Sequence, residues 1–239
     1  MYRTDDARSQ SVRATSGQRP VTAPEESCAQ VGLNRFEFAL KRVFDLISVV
    51  VILALFGWLM LIIALLVRVS GGKGVLYGHT RVGRNGKPFK CLKFRSMVSN
   101  SDEVLRNLLA SDPDARAEWD RDFKLKDDPR ITRIGRFIRK TSLDELPQLW
   151  NVVKGEMSIV GPRPVVQAEF EQYYGGAREH YLSVPPGLTG LWQVSGRNDL
   201  GYEQRVELDR QYVDNSNVFY DFVIVMRTVK VMVARRGAY

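Results

Sequence analysis

Little in this chain can carry thiol or histidine chemistry. Its 239 residues hold two cysteines, Cys28 and Cys91, which lie 63 positions apart with no CxxC or other metal-ligand spacing. That excludes a disulfide framework and a zinc site, and it suits a reducing, cytoplasmic compartment. Histidine is as scarce. His79 and His180 lie far apart without a nucleophile motif nearby, which argues against Ser-His-Asp catalysis and histidine-rich metal sites and leaves both as ordinary structural residues. No G-x-x-x-x-G-K-[ST] occurs and Gly71 to Gly78 does not match G-x-G-x-x-G, so a Walker or Rossmann phosphate loop is not supported. Residues 1–34 are poor in large apolar side chains and lack the apolar core and cleavage site of a secretory signal. Such a composition cannot offset the entropy of ordering, and a flexible tail is expected there.

The charge is uneven. Residues 1–34 carry four arginines and four acidic residues, so the net charge of +8 resides in residues 35–239. A basic body suits an anionic partner, whether nucleic acid, a lipid surface or a phosphorylated substrate, and charge alone does not choose among them. From Val43 to Val67 the chain is almost continuously apolar, broken only by Asp45, Ser48 and Gly57. As a helix it would be about 37 Å long, against a hydrocarbon core of about 30 Å, and so a membrane-inserted helix is expected over 35–70. A buried helix of a soluble core is the alternative, though soluble helices rarely run so long without a polar face. Arg35, Lys41 and Arg42 precede the run, while Arg68 and Lys73 follow it. Positive charge on both flanks defines no inside and outside. A re-entrant helix that bends at Gly57 and returns to the cytoplasmic leaflet would satisfy both.

Residues 71–239 are read as one catalytic domain on the cytoplasmic face. Two extended segments joined at Asn85-Gly86 form a hairpin, because both turn residues accept positive φ. In the second segment, Phe89 to Arg95, Lys90, Lys93 and Arg95 either face phosphate or headgroups or form a solvated strand face. Polar helices follow, from Ser101 to Ala110 and from Asp112-Pro113 onward, where Asp can cap and Pro fits the first turn. Neither carries chemistry. Ile131, Ile134, Phe137 and Ile138 recur at helical spacing among Arg130, Arg133, Arg136, Arg139 and Lys140, an amphipathic basic helix suited to a solvated face or an anionic membrane surface. Tyr202, Val206, Asp209 and Val213 mark another helix. A last one, near Val218 to Val233, has an apolar run too short to span and fits shallow insertion at the interface.

The stretch from Arg139 to Trp150 is the most informative. Ser142 and Glu145 have capping-box spacing and Pro147 suits a first helical turn, which puts Asp144 and Glu145 at a helix N-terminus, where free N–H groups and the dipole favour anions. Adjacent carboxylates there can divide the work: one attacks phosphorus while the other helps hold Mg²⁺ against phosphate oxygens. A plain helix cap remains the alternative on this stretch alone. Gly161-Pro-Arg163-Pro164 is a stiff turn that fixes Arg163, and Ser195-Gly-Arg197-Asn198 presents Arg197. With Arg139 these guanidiniums could neutralise a diphosphate.

Together these residues resemble the monotopic phosphoglycosyl transferases, or bacterial sugar transferases. The likeness runs through Lys41-Arg-Val-Phe-Asp45, Lys93-Phe-Arg-Ser-Met97, Ser142-Leu-Asp-Glu-Leu-Pro-Gln-Leu149, Asn151-Val, Gly155-Glu-Met-Ser158, Val160-Gly-Pro-Arg-Pro164, Pro186-Gly-Leu-Thr-Gly190 and Gly196-Arg-Asn198 to the final helix. The resemblance implies an α+β fold with an N-terminal membrane-inserted, re-entrant helix, amphipathic interfacial helices and a small cytoplasmic α/β catalytic region. It implies that Asp144 attacks the sugar-bearing phosphate of a UDP-sugar, that UMP leaves, and that undecaprenyl phosphate takes the hexose-1-phosphate to begin exopolysaccharide assembly. Glu145 would join Asp144 at Mg²⁺, while Arg139, Arg163 and, more weakly, Arg197 would contact phosphate. Galactose or glucose is the expected sugar and galactose the favoured one. Membrane lipids rather than nucleic acid would be the other partner, at the bacterial inner membrane, and a homodimer stays open. Where the family places Ser-Pro to break the re-entrant helix, this chain has Gly57-Trp58, so its break must come from Gly57 or be absent. Two other readings compete: a membrane-tethered basic adaptor without catalysis, and a transferase that passes only the sugar and releases UDP.

Overall fold

The computed structural model describes residues 34–70, 74–122, 125–196 and 200–233. The tail expected over 1–34 lies outside them except for Asn34, and so does Arg197. Among the described residues the chain is mostly helical, with two small two-stranded sheets and one long apolar helix at its N-terminal end.

That helix, α1 (Arg35–Val69), opens with a capping box. Asn34 accepts from the Glu37 N–H at 2.9 Å and the Glu37 carboxylate accepts from the Asn34 N–H at 2.9 Å, which satisfies two donors that a helix start otherwise leaves unpaired. The helix continues through Gly57 without interruption. No helix break takes the place of the missing Ser-Pro, and at about 1.5 Å per residue α1 is about 52 Å long. Its buried positions, Lys41, Asp45, Val49, Ile63 and Val67, form a stripe at helical spacing. Both ends of that stripe rest on the same body: Val49 joins the main core, while Ile63 and Val67 pack with Phe94 and Ile138. The other faces expose Val50, Leu53, Leu55, Phe56, Trp58, Leu61 and Leu65.

The predicted hairpin forms. Strands β1 (Leu76–Val82) and β2 (Pro88–Phe94) pair antiparallel in the register Tyr77↔Lys93 and His79↔Cys91. Asn85 and Gly86 take φ of 57° and 73° at the turn, as that dipeptide favours. Two polar helices follow, α2 (Ser101–Ser111) and α3 (Pro113–Asp122), with Asp112 accepting from the N–H groups of Asp114 and Ala115.

The basic amphipathic segment is shorter than its pattern suggested. It forms α4 (Arg133–Lys140), while Ile131 instead bridges Met97 next to β2. Thr132 N–H donates to the Ser96 carbonyl, and a side chain at Gly135 would meet that same oxygen at 1.9 Å. Only glycine lets α4 dock this closely. Ile138 is buried but Phe137 points outward, 61% exposed.

Helix α5 (Gln148–Lys154) leads into β3 (Ser158–Val160), then α6 (Gln167–Tyr173) and α7 (Arg178–Ser183). Strand β4 (Gly187–Thr189) pairs parallel with β3. The chain then forms α8 (Leu191–Ser195), α9 (Tyr202–Asp214) and α10 (Val218–Val233), the last two where the periodicity places them. The core joins Val152, Val160, Tyr212 and Ile224 from α5, β3, α9 and α10.

A charged cluster crosses that core. The Lys41 ammonium donates to Asp221 Oδ2 at 2.5 Å, to the Tyr212 hydroxyl at 3.0 Å and to the Val160 carbonyl at 2.9 Å. Lys41 is 3% exposed and Asp221 0%. One turn on, Asp45 accepts from Ser158 Oγ and the Ile159 N–H, both at 2.9 Å. Asp45 therefore does not interrupt the apolar run by accident: it clamps α1 to β3. Truncating one member of a buried pair strands the other charge at a cost of about 3–5 kcal/mol. Lys41→Met is expected to lower stability by that amount in detergent unfolding, and the double variant Lys41→Met/Asp221→Leu to recover much of it. Equal losses in the single and the double variant would refute the pairing.

Candidate active site

Asp144 and Glu145 lie on a single 3₁₀ turn, Leu143–Glu145, between α4 and α5. Leu146 and Pro147 keep helical angles, so the turn runs directly into α5. The carboxylates are thus at the start of a helical segment, but the expected capping box is absent. Ser142 instead takes the left-handed conformation, φ 56°, and its side chain caps nothing. That reversal, unusual for a serine, folds the turn back on α4 with Asp144 facing inward, 7% exposed.

Opposite the turn stands β2. Lys93 Nζ is 2.5 Å from Glu145 Oε1, with both side chains about one-third exposed (34% and 37%). Burial lowers the pKa of the Lys93 ammonium, but the Glu145 and Asp144 carboxylates outweigh it and hold the group above its ordinary value. Burial pushes Asp144 up to about 6, with Glu145 adding to the rise and Lys93 and Arg139 opposing it. At neutral pH the carboxylate is therefore mostly ionised, yet poorly solvated.

The register between β2 and α5 depends on Asn151, 1% exposed. Its Oδ1 accepts from the Leu92 N–H at 3.0 Å, while Nδ2 donates to the Lys90 carbonyl at 2.8 Å and to Glu156 Oε2 at 2.6 Å. The amide behaves as one more strand residue against β2, next to Lys93. The sequence motif Asn151-Val gave no hint of this role, because a buried amide and its strand partners lie about 60 positions apart (59 to 61).

The predicted cations separate. Lys93 and Arg139 act on Asp144, but among the described residues no hydrogen bond or ion pair joins Arg163 to Asp144 or Glu145. Arg163 belongs to a second cluster. Its backbone N–H donates to Asp209 Oδ2 at 3.3 Å and its guanidinium lies over the Trp192 ring, 5.4 Å from the centroid. Arg205 covers the same ring at 5.3 Å. Asp209, 3% exposed, also accepts from the Tyr174 hydroxyl at 2.8 Å, and burial pushes it up to about 7 against those two hydrogen bonds and the Arg163 charge. Between the clusters, His79 and Arg81 share with Lys93 one face of the β1–β2 hairpin. Burial lowers the His79 pKa, and the charges of Arg81 and Lys93 lower it further. Trp192 and Arg205 escaped the sequence reading, while Asp209 entered it only as a marker of helical spacing and Asn151 only as part of a motif.

A profile of the bacterial sugar transferase family matches residues 36–235. The chain belongs to that family. It is 60% identical over 200 residues to a UDP-galactose-lipid carrier transferase of Erwinia amylovora, over 84% of this chain and 42% of the relative. An undecaprenyl-phosphate galactose phosphotransferase of Salmonella typhimurium is 58% identical over the same shares, 84% and 42%. Both match over less than half their length. An exopolysaccharide production protein, ExoY, of Rhizobium meliloti is 50% identical over 94% of this chain and 97% of its own. Within this bacterial sugar transferase, no group of three or more His, Cys, Asp or Glu side chains that could hold a metal occurs among the described residues. The adjacent pair of carboxylates nonetheless fits Mg²⁺, which commonly takes one or two carboxylates and completes its shell with water and substrate phosphate.

Asn151→Ala would leave the Leu92 N–H and the Lys90 carbonyl without their partners, at about 1–3 kcal/mol for a buried unpaired group. Faster hydrogen exchange at Leu92 and a lower unfolding temperature are the expected results. An unchanged exchange rate would show that β2 holds its register without the amide.

Proposed function

We propose that the chain moves hexose-1-phosphate from a UDP-sugar to undecaprenyl phosphate, through a phosphosugar held on Asp144, and so begins exopolysaccharide assembly. The observation that carries this reading is Asp144 itself: a carboxylate nine-tenths buried (7% exposed), beside a lysine and a second carboxylate. An anion with little solvent to shed is a competent nucleophile toward phosphorus. An Asp144 oxygen attacks the sugar-bearing phosphorus, the bond to the bridging oxygen breaks, and UMP departs with the electron pair. An oxygen of undecaprenyl phosphate then attacks the same phosphorus and restores the carboxylate, leaving a polyprenyl diphosphate sugar. Lys93 and Arg139 offset charge around the reacting phosphate, since phosphoryl transfer depends on positioning and electrostatics. Asp144 and Glu145 would hold Mg²⁺, which when bound neutralises phosphate oxygens. Galactose is the donor sugar we favour, because it is named in the Erwinia and Salmonella relatives.

The membrane placement is supported by α1. A helix whose outer faces are apolar over most of its length belongs in lipid, and docking of both its ends on one catalytic body supports both flanks lying at the cytoplasmic face. The inner membrane is then the site of action, and α1 lies in the leaflet along the body instead of crossing it. Exposed Phe137, Trp150, Phe219, Phe222, Met226 and Val229 extend the apolar surface across α4, α5 and α10, which supports interfacial seating of those helices. A lipid-borne acceptor confined to that plane meets the carboxylate at a fixed depth.

Purified parent protein with UDP-galactose, Mg²⁺ and undecaprenyl phosphate should release UMP. Asp144→Asn should lose more than about 10³-fold in rate, and thorough chelation should stop turnover until Mg²⁺ returns. Release of UDP, or parental speed from Asp144→Asn, would overturn the mechanism. For the placement, single cysteines at Phe36 and Ser70, in a background without Cys28 and Cys91, should both react with a cytoplasmic label. Reaction from opposite sides would show a spanning helix.

A further inference from the structure

Two guanidiniums that share one indole need an explanation, because like charges brought together repel. Arg163 sits in the coil after β3 and Arg205 on α9, 42 positions apart, yet both lie over Trp192 at 5.4 and 5.3 Å. Neither guanidinium forms an ion pair among the described residues. Arg205 is oriented from behind, since its Nε donates to the Leu200 carbonyl at 3.1 Å. Arg163 is oriented through its backbone by Asp209, whose other oxygen is buried without a partner. The Asp209 carboxylate that could neutralise the pair is thus set against the backbone and the Tyr174 hydroxyl. Burial, and then the charge of Arg163, lowers the pKa of Arg205, while Tyr202 and Glu169 oppose the fall, as expected of two cations held close together.

The same face of the hairpin connects this pair to the catalytic turn. His79 feels the charges of both Lys93 and Arg81, and Arg81 is 3.8 Å from Glu169, which in turn acts on Arg205. Lys93, His79 and Arg81 thus share one face, and Arg81 lies beside Glu169 at its far end. A donor with two phosphates presents two anionic centres, and Asp144, Lys93 and Arg139 serve only the one that carries the sugar.

Accepting that mechanism, the geometry points to Arg205, together with Arg163 over Trp192, as the subsite for the phosphate of the departing nucleotide. Arg205 is then a substrate-binding residue of this enzyme. Guanidiniums suit the role because they grip phosphate through paired hydrogen bonds while stacked on an aromatic face.

The test measures UMP affinity by calorimetry on the full chain in detergent, with uridine as the probe that lacks phosphate and a short-chain polyprenyl phosphate as the competing anion. Arg205→Gln should weaken UMP binding about ten- to a hundredfold, leave uridine and polyprenyl phosphate within about twofold, and raise the KM for UDP-galactose more than it lowers kcat. Arg205→Lys, which keeps the charge, should recover part of the UMP affinity and guards against a folding defect in the glutamine variant. Unchanged UMP affinity, an equal loss for uridine, or a loss confined to polyprenyl phosphate would each overturn the assignment. The parent and Asp144→Asn separate this from the mechanism itself. Asp144→Asn should bind UMP like the parent, whereas a parent that releases no UMP would sink the reaction and leave the binding result to be read alone.

Discussion

The buried cluster of Lys41, Tyr212 and Asp221 governs how this protein is put together. Four elements, α1, β3, α9 and α10, meet at one ammonium that donates to a carboxylate, a hydroxyl and a backbone carbonyl. An ammonium and a carboxylate taken out of water are tolerated only when every polar neighbour is well placed. The geometry therefore permits one seating of the apolar helix on the rest of the fold, and the Asp45 clamp on Ser158 and Ile159 reinforces it one turn later. Apolar contact alone would leave α1 free to slide or rotate, since its exposed faces are nearly as apolar as its buried one. The charges supply the register.

That register matters because β3 leads into Gly161, Pro162 and Arg163. Holding the end of β3 by its Val160 carbonyl places the coil that carries Arg163, while Asn151 does the equivalent for β2 and Lys93. The two cation groups are thus fixed by separate supports. Around Asp144 the balance is between burial, which raises its pKa to about 6, and the lysine and arginine that restrain the rise. The result is an anion that is present at neutral pH and weakly hydrated.

Several parts of this structure were legible in local sequence because local physics decides them. An apolar run of that length must form a helix that leaves water, an Asn-Gly pair between extended segments must turn back, and the periodic spacing of Tyr202 to Val213 must wind with one face inward. Each depends on residues within a few positions of one another. The Asp144-Glu145 pair was legible for a similar reason, since adjacent carboxylates followed by Leu-Pro form a local pattern. The Ser142 cap was misread because its backbone adopts a left-handed turn and its side chain caps nothing.

What the chain spells out by itself, then, is its anchor, its hairpin and its pair of acidic residues, all products of short-range pattern. Which cation serves which anion was left to the tertiary structure. Lys93 and Arg163 look alike in sequence as basic residues near small motifs, yet the fold pairs Lys93 with Glu145, 52 positions away, and Arg163 with Trp192 and Arg205. Coulombic partnership falls off within a few ångströms of separation in space, and distance in space between remote segments is set by packing, of which the order of residues along the chain holds no direct record.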